Sequence, residues 1–308
     1  MILNHQFKAF DTEIELCVVA SADDFKSLIG KIEQSAENFE KRFSRFDEFS
    51  ELSKINNKIT QEIKISEEML KVLLKSKEAY QMTAGIFDPT IYNVLRASGY
   101  DKSFDSITNS DAYINEQFEL KKYSFKELII NEKTKSIKLP VGMKIDLGGI
   151  AKGYWVDQMK ELLDQDCSSY WLSAGGDIFF RGVNESSENW QVALQNPLKL
   201  DENLLYLNIS EEGYGVATSG VTKRQGIKNG KKWSHLIDPR QNTRVKNTVL
   251  AVTVIAKSTT DADVMAKTVL ILGIRKGLAL VNSNEDYECV IVDNKLKMHI
   301  SRDLKKFL

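Results

Sequence analysis

Cysteine, histidine and proline are scarce in this chain of 308 residues, which contains three, three and four of them respectively. Cys17, Cys167 and Cys289 are widely spaced, and no Cys-x-x-Cys pair is present. An odd number of cysteines at such spacing is atypical of a disulfide framework or a zinc site. We therefore expect three buried thiols in a reducing compartment. No proline-rich or low-complexity tract marks a linker between domains.

Long apolar runs and an excess of charge of either sign are absent as well. No run approaches the roughly 18 consecutive apolar residues that a transmembrane helix needs. Residues 1–8 contain no apolar signal core and no lipidation cysteine. The formal net charge of −1, from 42 basic and 43 acidic residues, leaves no broad basic surface for nucleic acid or an anionic membrane. As given, the sequence therefore predicts a cytoplasmic protein without a membrane span or a nucleic-acid partner, and a chain whose signal peptide had been removed would look the same.

Several familiar nucleotide-binding and hydrolase motifs are also missing. Residues 148–153 read Gly-Gly-Ile-Ala-Lys-Gly, which is not the Gly-x-Gly-x-x-Gly of a Rossmann fold. Residues 226–232 have only three residues between their glycines, and Lys232 stands where a P-loop needs Ser or Thr. No His-x-x-x-His pair and no nucleophile elbow is present. These absences argue against a Rossmann dehydrogenase, a P-loop NTPase and an α/β-hydrolase.

What the sequence does contain is a mixture of helical and strand periodicities. Apolar residues recur at helical spacing over residues 22–46, 66–83 and 259–273, and strand patterns lie around them. Strands outnumber βαβ units, and many neighbouring strands are separated by hairpin-length turns, so we predict an α+β fold with mostly antiparallel sheets. We expect one domain over residues 1–308, with a possible lobe boundary in the polar stretch near residues 104–123.

Residues 144–157 form the most distinctive segment. A short apolar strand is predicted to end at Asp146, Gly148 and Gly149 turn the chain, and an amphipathic helix follows. Paired glycines allow positive φ or a close approach of the backbone to a ligand. The N-terminus of the helix offers unpaired N–H groups and a positive dipole end, which suit a phosphate. A tight strand-to-helix connection explains the same pattern equally well.

Four further segments combine small residues with a polar group, namely residues 173–177, 217–220, 235–239 and 262–267. Each has an ordinary structural explanation. The Gly-Gly-Asp sequence that ends at Asp177 is typical of a tight turn, a lone histidine such as His235 is more often structural than catalytic, and Asp263 suits the start of a helix. Their combination and their order are more informative than any one segment.

These segments, in this order, resemble the ApbE-type flavin transferase family, the FAD:protein FMN transferases. Residues 44–56, which begin Ser-Arg-Phe, and residues 85–90, which read Gly-Ile-Phe-Asp-Pro-Thr, look like further markers of that family. The resemblance covers nearly the whole chain, and its most specific parts are residues 146–153 and 235–239. It implies a fold with an FAD pocket between two lobes.

The resemblance also implies a reaction. Enzymes of this family bind FAD, hold Mg²⁺ on its pyrophosphate, and transfer the FMN part to a Ser or Thr hydroxyl of an acceptor protein with release of AMP. Attack on phosphorus depends on positioning and charge neutralisation more than on covalent help from the protein. The acceptors are typically subunits of membrane redox complexes that carry a short Ser/Thr-containing motif.

Several residues take roles through their positions in this resemblance. His235 is the expected general base, since an unperturbed imidazole titrates near pH 6.5. Phe46 stands where the family often has a tyrosine against the isoalloxazine ring, so stacking is expected without the hydroxyl. Gly149, through its carbonyl, and Asp263 are the expected metal ligands. The remaining expected FAD contacts are Phe87, Asp88, Asp146, Lys152, Gly175, Gly176, Ser219 and Ile237.

Lys267 departs from the family pattern. On the last helix the family has Ala-Asp-x-x-x-Thr, with Asp and Thr both ligating Mg²⁺, whereas here Lys267 takes the Thr position and Thr268 comes one residue later. One residue turns a side chain by about 100° around a helix, so Thr268 should face elsewhere. A protonated lysine has no lone pair for a metal. Lys267 therefore either pairs weakly with Asp263 or places its ammonium beside the pyrophosphate, and we expect weakened Mg²⁺ dependence or activity with FAD binding kept.

Two other functions are alternatives to the transferase. One is an FAD-binding protein with little or no transfer activity, a flavin carrier or sensor, which Lys267 favours. The other is a hydrolase that splits FAD into FMN and AMP with water in place of the acceptor hydroxyl. His235 and Asp146, both present, favour the transferase. Release of AMP on mixing with FAD and an acceptor separates the transferase from a pure binder.

Overall fold

The computed structural model describes residues 1–19, 21–58, 62–98, 100, 122–222, 225–228, 231–234, 236–245 and 247–308. Two compact units are present. The first comprises Met1–Glu37, Lys152–Lys223 and Asn247–Leu308, and the second comprises Asn38–Ala151 and Arg224–Lys246. The lobe boundary expected near residues 104–123 falls almost entirely outside the described residues.

The helices and strands of the described residues are as follows. The strands are β1 (Ile2–Ala9), β2 (Thr12–Val19), β3 (Ile63–Lys64), β4 (Ile129–Asn131), β5 (Ser136–Lys138), β6 (Tyr170–Ala174), β7 (Asp177–Arg181), β8 (Trp190–Asn196), β9 (Lys199–Ile209), β10 (Tyr214–Gly220), β11 (Gln225–Lys228), β12 (Lys231–Ser234), β13 (Ile237–Asp238), β14 (Thr243–Arg244), β15 (Val249–Ala256), β16 (Tyr287–Asp293) and β17 (Met298–Ile300). The α-helices are α1 (Ala22–Phe43), α2 (Glu51–Asn57), α3 (Glu67–Met82), α4 (Tyr92–Ala97), α5 (Ala151–Asp166) and α6 (Thr259–Val281). Short 3₁₀ turns lie at Pro89–Ile91, Phe125–Glu127 and Leu304–Phe307.

An eight-stranded antiparallel sheet forms the centre of the first unit. Its order is β1-β2-β6-β7-β10-β15-β16-β17. The strand β15 is almost wholly apolar, and β16 is buried along its whole length. Continuous apolar runs of this length are typical of strands that are covered on both faces. The helix α6 packs against β10, β15 and β16, and the β8–β9 hairpin contributes Trp190, Leu207 and Ile209 to a core cluster with the sheet.

The second unit contains a three-stranded antiparallel sheet, in the order β3-β5-β4, together with α2, α3 and α4. The helix α3 begins where the sequence predicts it to begin. The hydroxyl of Ser66 accepts a hydrogen bond from the backbone N–H of Met69 at 3.1 Å, and Glu67 and Glu68 occupy the first turn. A side-chain cap and acidic residues at this end both stabilise a helix.

The predicted α+β class with mostly antiparallel sheets is confirmed. Every strand pair among the described residues is antiparallel. The FAD pocket expected between two lobes stays a prediction. In the part of the chain that the structure describes, no helix has the length and apolar character needed to cross a bilayer.

Two local predictions were wrong. The segment that ends at Asp146 is extended but belongs to no strand, because the side-chain amide of Asn56 bonds both the N–H and the carbonyl of Ile145 at 2.8 Å and so replaces a strand partner. Residues 85–93, whose glycine and proline suggest a loop, contain a 3₁₀ turn that Asp88 caps through the N–H of Thr90, and they also contain the start of α4. By contrast, the helical run predicted over residues 259–273 is interrupted at Gly273, which has a non-helical φ of +76° and ψ of 176°, and a second helical stretch of α6 follows to Val281.

Candidate functional site

Four charged side chains of the first unit, Lys152, Asp177, Asp263 and Lys267, form what we call the lysine–aspartate cluster. The ammonium of Lys152, in the first turn of α5, donates to Asp177 and lies 3.4 Å from the carbonyl of Ala174. The ammonium of Lys267 donates to Oδ1 of Asp263, one turn earlier on α6. The charges of Lys152 and Asp177 both act on Asp263. The cluster therefore brings together Lys152, an expected FAD contact, and Asp263, an expected metal ligand. Asp177 and Lys267 add one further negative and one further positive charge.

Asp263 is the most deeply buried member of this cluster. Its side chain is 2% exposed, and its Oδ2 has no hydrogen-bond partner among the described residues. Burial raises the pKa of Asp263, and the nearby charge of Asp177 acts in the same direction, while Lys267 and Lys152 oppose it. A buried carboxylate oxygen without a partner is rare and calls for a nearby ligand or counter-charge.

The sequence places Asp177 at the start of β7 through a two-residue hairpin turn. Gly175 and Gly176 have φ values of +64° and +94°, the pair of positive angles that a tight hairpin between β6 and β7 requires. A Cβ on Gly175 would lie 2.3 Å from the hydroxyl of Thr12. The turn by itself accounts for both glycines, so an approach of this backbone to FAD stays a prediction.

The start of α6 is fixed by α5, a contact that the sequence analysis missed. Asp157 accepts hydrogen bonds from the backbone N–H groups of Thr259 and Thr260 at 2.8 and 2.9 Å. A Cβ on Gly153 would lie 2.9 Å from the carbonyl oxygen of Thr259, so only glycine allows the two helices to approach this closely. The spacing of Gly153 and Asp157, four residues apart on one face of α5, is the sequence signal for this contact. These bonds hold the helix that carries Asp263 and Lys267.

Ser219 lies in a strand, whereas the small residues 217–220 suggest a strand that ends in a loop. It pairs with Val252 of β15 near the end of β10 and is 7% exposed. The loop prediction failed because a run of small residues was taken as a strand end, whereas the continuous pairing from Gly215 to Gly220 extends the strand through it. A contact between Ser219 and FAD stays a prediction.

In the second unit, Asp146 is held by Arg45. The Nη1 of Arg45 lies 3.0 Å from Oδ2 of Asp146, and the two side chains are 8% and 9% exposed. The guanidinium carbon lies 4.5 Å from the ring centre of Phe46 and 4.2 Å from that of Tyr100, and Nη2 donates to the carbonyl of Tyr100 at 3.2 Å. The N–H of Gly148 donates to Oδ1 of Asp146 at 3.0 Å. Protein partners therefore immobilise both oxygens of this carboxylate.

The sequence analysis named Asp146 and Phe46 but missed Arg45, which joins them. The ring of Phe46 is 39% exposed, an uncommon position for a phenylalanine and one that leaves part of the ring available for a planar ligand. The signal was present, since an arginine next to this aromatic residue lies in the Ser-Arg-Phe marker. Its buried partner, however, is distant in the chain.

The other expected FAD contacts of the second unit have structural partners. Asp88 accepts hydrogen bonds from Thr90 and from the N–H of Phe125, and burial raises its pKa, opposed by these donors. Phe87 is 7% exposed, and its N–H donates to the hydroxyl of Thr83 at 3.0 Å. Ile237 packs with Val94 and Leu95. Gly149 lies in the half-buried turn before α5.

The expected general base, His235, lies outside the described residues. Its described neighbours Leu236, Ile237 and Asp238 are buried. Arg240 fixes Asp238 with two hydrogen bonds from the guanidinium, at 2.9 and 2.7 Å. The segment that follows His235 is therefore anchored by buried apolar side chains and by a bidentate ion pair.

A divalent cation beside Asp263 does not fit the described residues. Lys267 occupies Oδ1 of Asp263, and an ammonium cannot coordinate a metal. Thr268 is fully buried, and its hydroxyl donates to the carbonyl of Val264 at 2.8 Å. Among the described residues, no group of three or more His, Cys, Asp or Glu could hold a metal ion.

The sequence and the fold were compared with known proteins. The sequence model of the ApbE family matches residues 10–291. The FAD:protein FMN transferase of Vibrio cholerae is 28% identical over 290 residues, which span 92% of this chain and 86% of the relative, and that of Haemophilus influenzae is 27% identical over 283 residues, or 90% and 82%.

Solved structures of similar fold include the ApbE protein of Thermotoga maritima, with a TM-score of 0.89 and 23% identity over 100% of this chain and 99% of that one. The flavin transferase ApbE of Vibrio cholerae follows with a TM-score of 0.81 and 21% identity over 100% of both chains. At such identities these structures establish the fold alone. Because the family model covers nearly all of the sequence, the chain belongs to the ApbE family.

Proposed function

We propose that this chain is an FAD:protein FMN transferase, which uses FAD as its substrate and attaches FMN to an acceptor protein. The observation that carries the proposal is the match to the ApbE family over residues 10–291. Two relatives that bear this name align with most of this chain and with most of their own length. The match is therefore not confined to one shared motif.

The reaction forms one phosphorus–oxygen bond and breaks another. The oxygen of an acceptor Ser or Thr attacks the flavin-side phosphorus of FAD, the bond to the bridging oxygen breaks, and AMP leaves with that oxygen. His235 accepts the proton of the attacking hydroxyl, a role that suits an imidazole near neutral pH. The products are FMN esterified to the acceptor, AMP and one proton. Positioning and neutralisation of charge supply most of the acceleration in such transfers.

In the second unit, we assign Phe46 and Asp146 to the FAD site. The exposed ring of Phe46 suits stacking on a flavin ring system. Asp146 is held rigidly by Arg45 and by the N–H of Gly148, so it presents a carboxylate of fixed position. Phe87, Asp88, Ile237 and Gly149 complete the assignment.

In the first unit, Lys152 provides positive charge toward the FAD diphosphate, and we assign Gly175, Gly176 and Ser219 as further FAD contacts. The support for Lys152 is its anchored position, because Asp177 and the carbonyl of Ala174 both accept hydrogen bonds from its ammonium. No step of the proposed reaction uses Mg²⁺, since the residues around Asp263 do not fit a divalent cation.

The proposal extends to a cytoplasmic enzyme that acts, as a single domain over residues 1–308, on a redox-complex subunit with a Ser/Thr-containing motif. The three cysteines, all among the described residues, are buried and form no disulfide, which is consistent with a reducing compartment. The acceptor must present its hydroxyl on an accessible segment, since the oxygen has to reach a phosphorus atom in line with the leaving group.

The proposal is tested with the purified full chain, FAD and a Thr-bearing acceptor fragment. Mass spectrometry of the acceptor and chromatography of AMP should show equal amounts of attached FMN and released AMP. FAD binding without AMP release would instead identify a flavin carrier, the alternative that Lys267 favours. FMN and AMP released in solution without acceptor modification would identify a hydrolase.

His235→Gln should lower the transfer rate by roughly 10²- to 10⁴-fold, the usual contribution of a general base, with FAD binding kept. His299→Gln is the matched control, because His299 lies on β17 paired with Asp293. Equal transfer rates for the His235→Gln and His299→Gln variants would rule out the assigned role of His235.

A further inference from the structure

The lysine–aspartate cluster is electrically balanced but unevenly exposed. It contains two carboxylates and two ammonium groups, so its formal charge is zero. Asp263 and Asp177 are 2% and 5% exposed at their side chains, whereas Lys267 is 20% exposed. The negative charges are thus buried, and Lys267 brings a positive charge to the accessible edge of the cluster.

Lys267 is anchored by Asp263, and its ammonium has further hydrogen-bond donors for a ligand. Its ammonium carries three N–H donors, and the hydrogen bond to Oδ1 of Asp263 uses one of them. The two residues lie four apart on α6, the spacing at which helix side chains meet. Asp263 is buried and fixed on the helix, so its carboxylate cannot move into solvent. It therefore holds the ammonium of Lys267 in one place.

The same arrangement keeps a divalent cation away from Asp263. A metal on Oδ1 would have to displace the ammonium, and Oδ2 is buried. The cluster offers no hydroxyl as a further ligand, because Thr268 bonds back to Val264 inside the helix. The buried Oδ2 has no hydrogen-bond partner among the described residues, so the counter-charge of this carboxylate comes from nearby ammonium groups. Lys267 thus already supplies the charge that a cation would bring.

We infer that Lys267 is an internal cation that takes the place of a divalent metal ion beside Asp263 and binds a phosphate oxygen of the dinucleotide substrate. The identity of that substrate rests on the proposed function, whereas the exclusion of metal does not. A single ammonium brings one positive charge where a divalent ion brings two, and its geometry is less fixed. The enzyme should therefore bind its substrate somewhat less tightly than a metal-loaded site would, but independently of metal supply.

The first experiment measures metal binding by the full chain without substrate. Mn²⁺ is the probe, and its free concentration is followed by electron paramagnetic resonance. The unmodified protein should leave the free Mn²⁺ signal unchanged. Lys267→Thr should bind Mn²⁺ stoichiometrically, and adding Asp263→Asn to that variant should abolish the binding. Lys276→Thr is the matched control, since Lys276 is an exposed lysine on the same helix.

Stoichiometric Mn²⁺ binding by the unmodified protein, lost on Asp263→Asn, would overturn the inference. Metal binding by the unmodified protein can be measured whether or not Lys267→Thr folds. A poorly folded Lys267→Thr protein therefore does not remove the test. Failure of Lys267→Thr, folded as judged by its thermal unfolding, to bind Mn²⁺ would also count against replacement of a metal by Lys267.

The second experiment measures FAD affinity by flavin fluorescence in EDTA and in Mg²⁺. The unmodified protein should give the same affinity in both, within about twofold. Lys267→Thr should bind FAD roughly tenfold or more weakly in EDTA, the scale of a lost hydrogen bond to a charged group, with affinity restored by Mg²⁺. Lys276→Thr should match the unmodified protein.

A Mg²⁺ requirement for FAD binding by the unmodified protein would contradict the inference. The two proposals fail in different ways. Absence of any FAD binding would refute the proposed function while leaving the metal-exclusion result from Mn²⁺ intact. Tight Mn²⁺ binding together with FMN transfer would refute the internal cation and leave the transferase standing.

Discussion

Each of the two units contains a buried carboxylate that is paired with a cation, but the two cations differ. In the second unit, Arg45 meets Asp146 with a planar guanidinium whose carbon lies over the rings of Phe46 and Tyr100. In the first unit, Lys267 meets Asp263 with a compact ammonium on a flexible stem. Arginine suits stacked and fully enclosed pairs, whereas lysine is a point charge with rotatable donors.

Arg45 and Lys267 differ in what they can bind. Arg45 can only position a carboxylate, whereas Lys267 can also bind a ligand. Arg45 is almost fully buried, and its partners are a carboxylate, a carbonyl and two rings of the protein. Its Nη1 lies close to Asp146 without the geometry of a directed hydrogen bond, so the pair is chiefly electrostatic. Lys267 is partly exposed, and its described hydrogen bond uses one donor. Arg45 therefore fixes Asp146, whereas Lys267 has donors left beyond its bond to Asp263.

The largest expected effect comes from breaking the enclosed pair. Arg45→Met should lower the free energy of unfolding by about 3–5 kcal/mol, because it leaves the carboxylate of Asp146 buried without a counter-charge. Arg45→Lys should recover part of this loss, since it restores the charge but not the stacking on two rings. Denaturant unfolding of the full chain measures both.

The control for this pair is Arg96→Met, which removes an exposed guanidinium from α4 in the same unit. Surface substitutions of this kind usually change stability by less than about 0.5 kcal/mol. If Arg45→Met and Arg96→Met were equally stable, the pair with Asp146 would have no role in holding the second unit together.

A smaller effect is expected where a half-buried carboxylate, that of Asp157, has backbone donors in place of a cation. Asp157→Ala should lower the free energy of unfolding by about 2 kcal/mol, because the N–H groups of Thr259 and Thr260 lose their acceptor at the start of α6. Thermal and denaturant unfolding measure the loss. Asp166→Ala, at an exposed position at the end of α5, is the control, and a loss of the same size there would contradict the capping role of Asp157.

The smallest effect is a change in the pH dependence of stability. Burial raises the pKa of Asp88, which has no cation among its described hydrogen-bond partners. Between the ordinary aspartate pKa of about 3.9 and the raised value, the folded state binds more protons than the unfolded state, so Asp88 makes stability fall as pH rises through this window. Asp88→Asn should flatten this decline, by at most about 1.4 kcal/mol per pH unit.

Urea unfolding of the unmodified protein, Asp88→Asn and Asp201→Asn as a function of pH measures that slope. Asp201 is exposed on β9, so its substitution should leave the slope unchanged. A stability difference between Asp88→Asn and the unmodified protein that does not vary with pH would show that Asp88 titrates alike in the folded and unfolded states.

Elements defined by neighbouring residues were predictable. The cap Ser66 with Glu67 and Glu68, the turn between β4 and β5, and the apolar run of β15 act within a few residues, and the structure contains each of them. The rotation of Thr268 away from Lys267 also follows from helix geometry. Ser219 was misplaced because small residues by themselves do not distinguish the end of a strand from its continuation.

Partners distant in the chain could not be predicted. Asn56 replaces a strand partner for Ile145, 89 residues away, and this turned a predicted strand into an extended segment. Nothing near Lys152 in the sequence identifies Asp177 as its acceptor, and nothing near Arg45 identifies Asp146. The candidate site was therefore predictable as a set of residue types, but the ion pairs within it were not.

The sequence by itself determined the family resemblance, the α+β class and the substitution of lysine for threonine at position 267. Each of these depends on residue identity and short spacing, which the chain displays directly. Only the tertiary structure decided that the carboxylates of Asp146 and Asp263 are buried and which cation holds each one. The physical reason is that burial and charge pairing depend on packing between segments far apart in the chain, and local sequence patterns do not encode that packing.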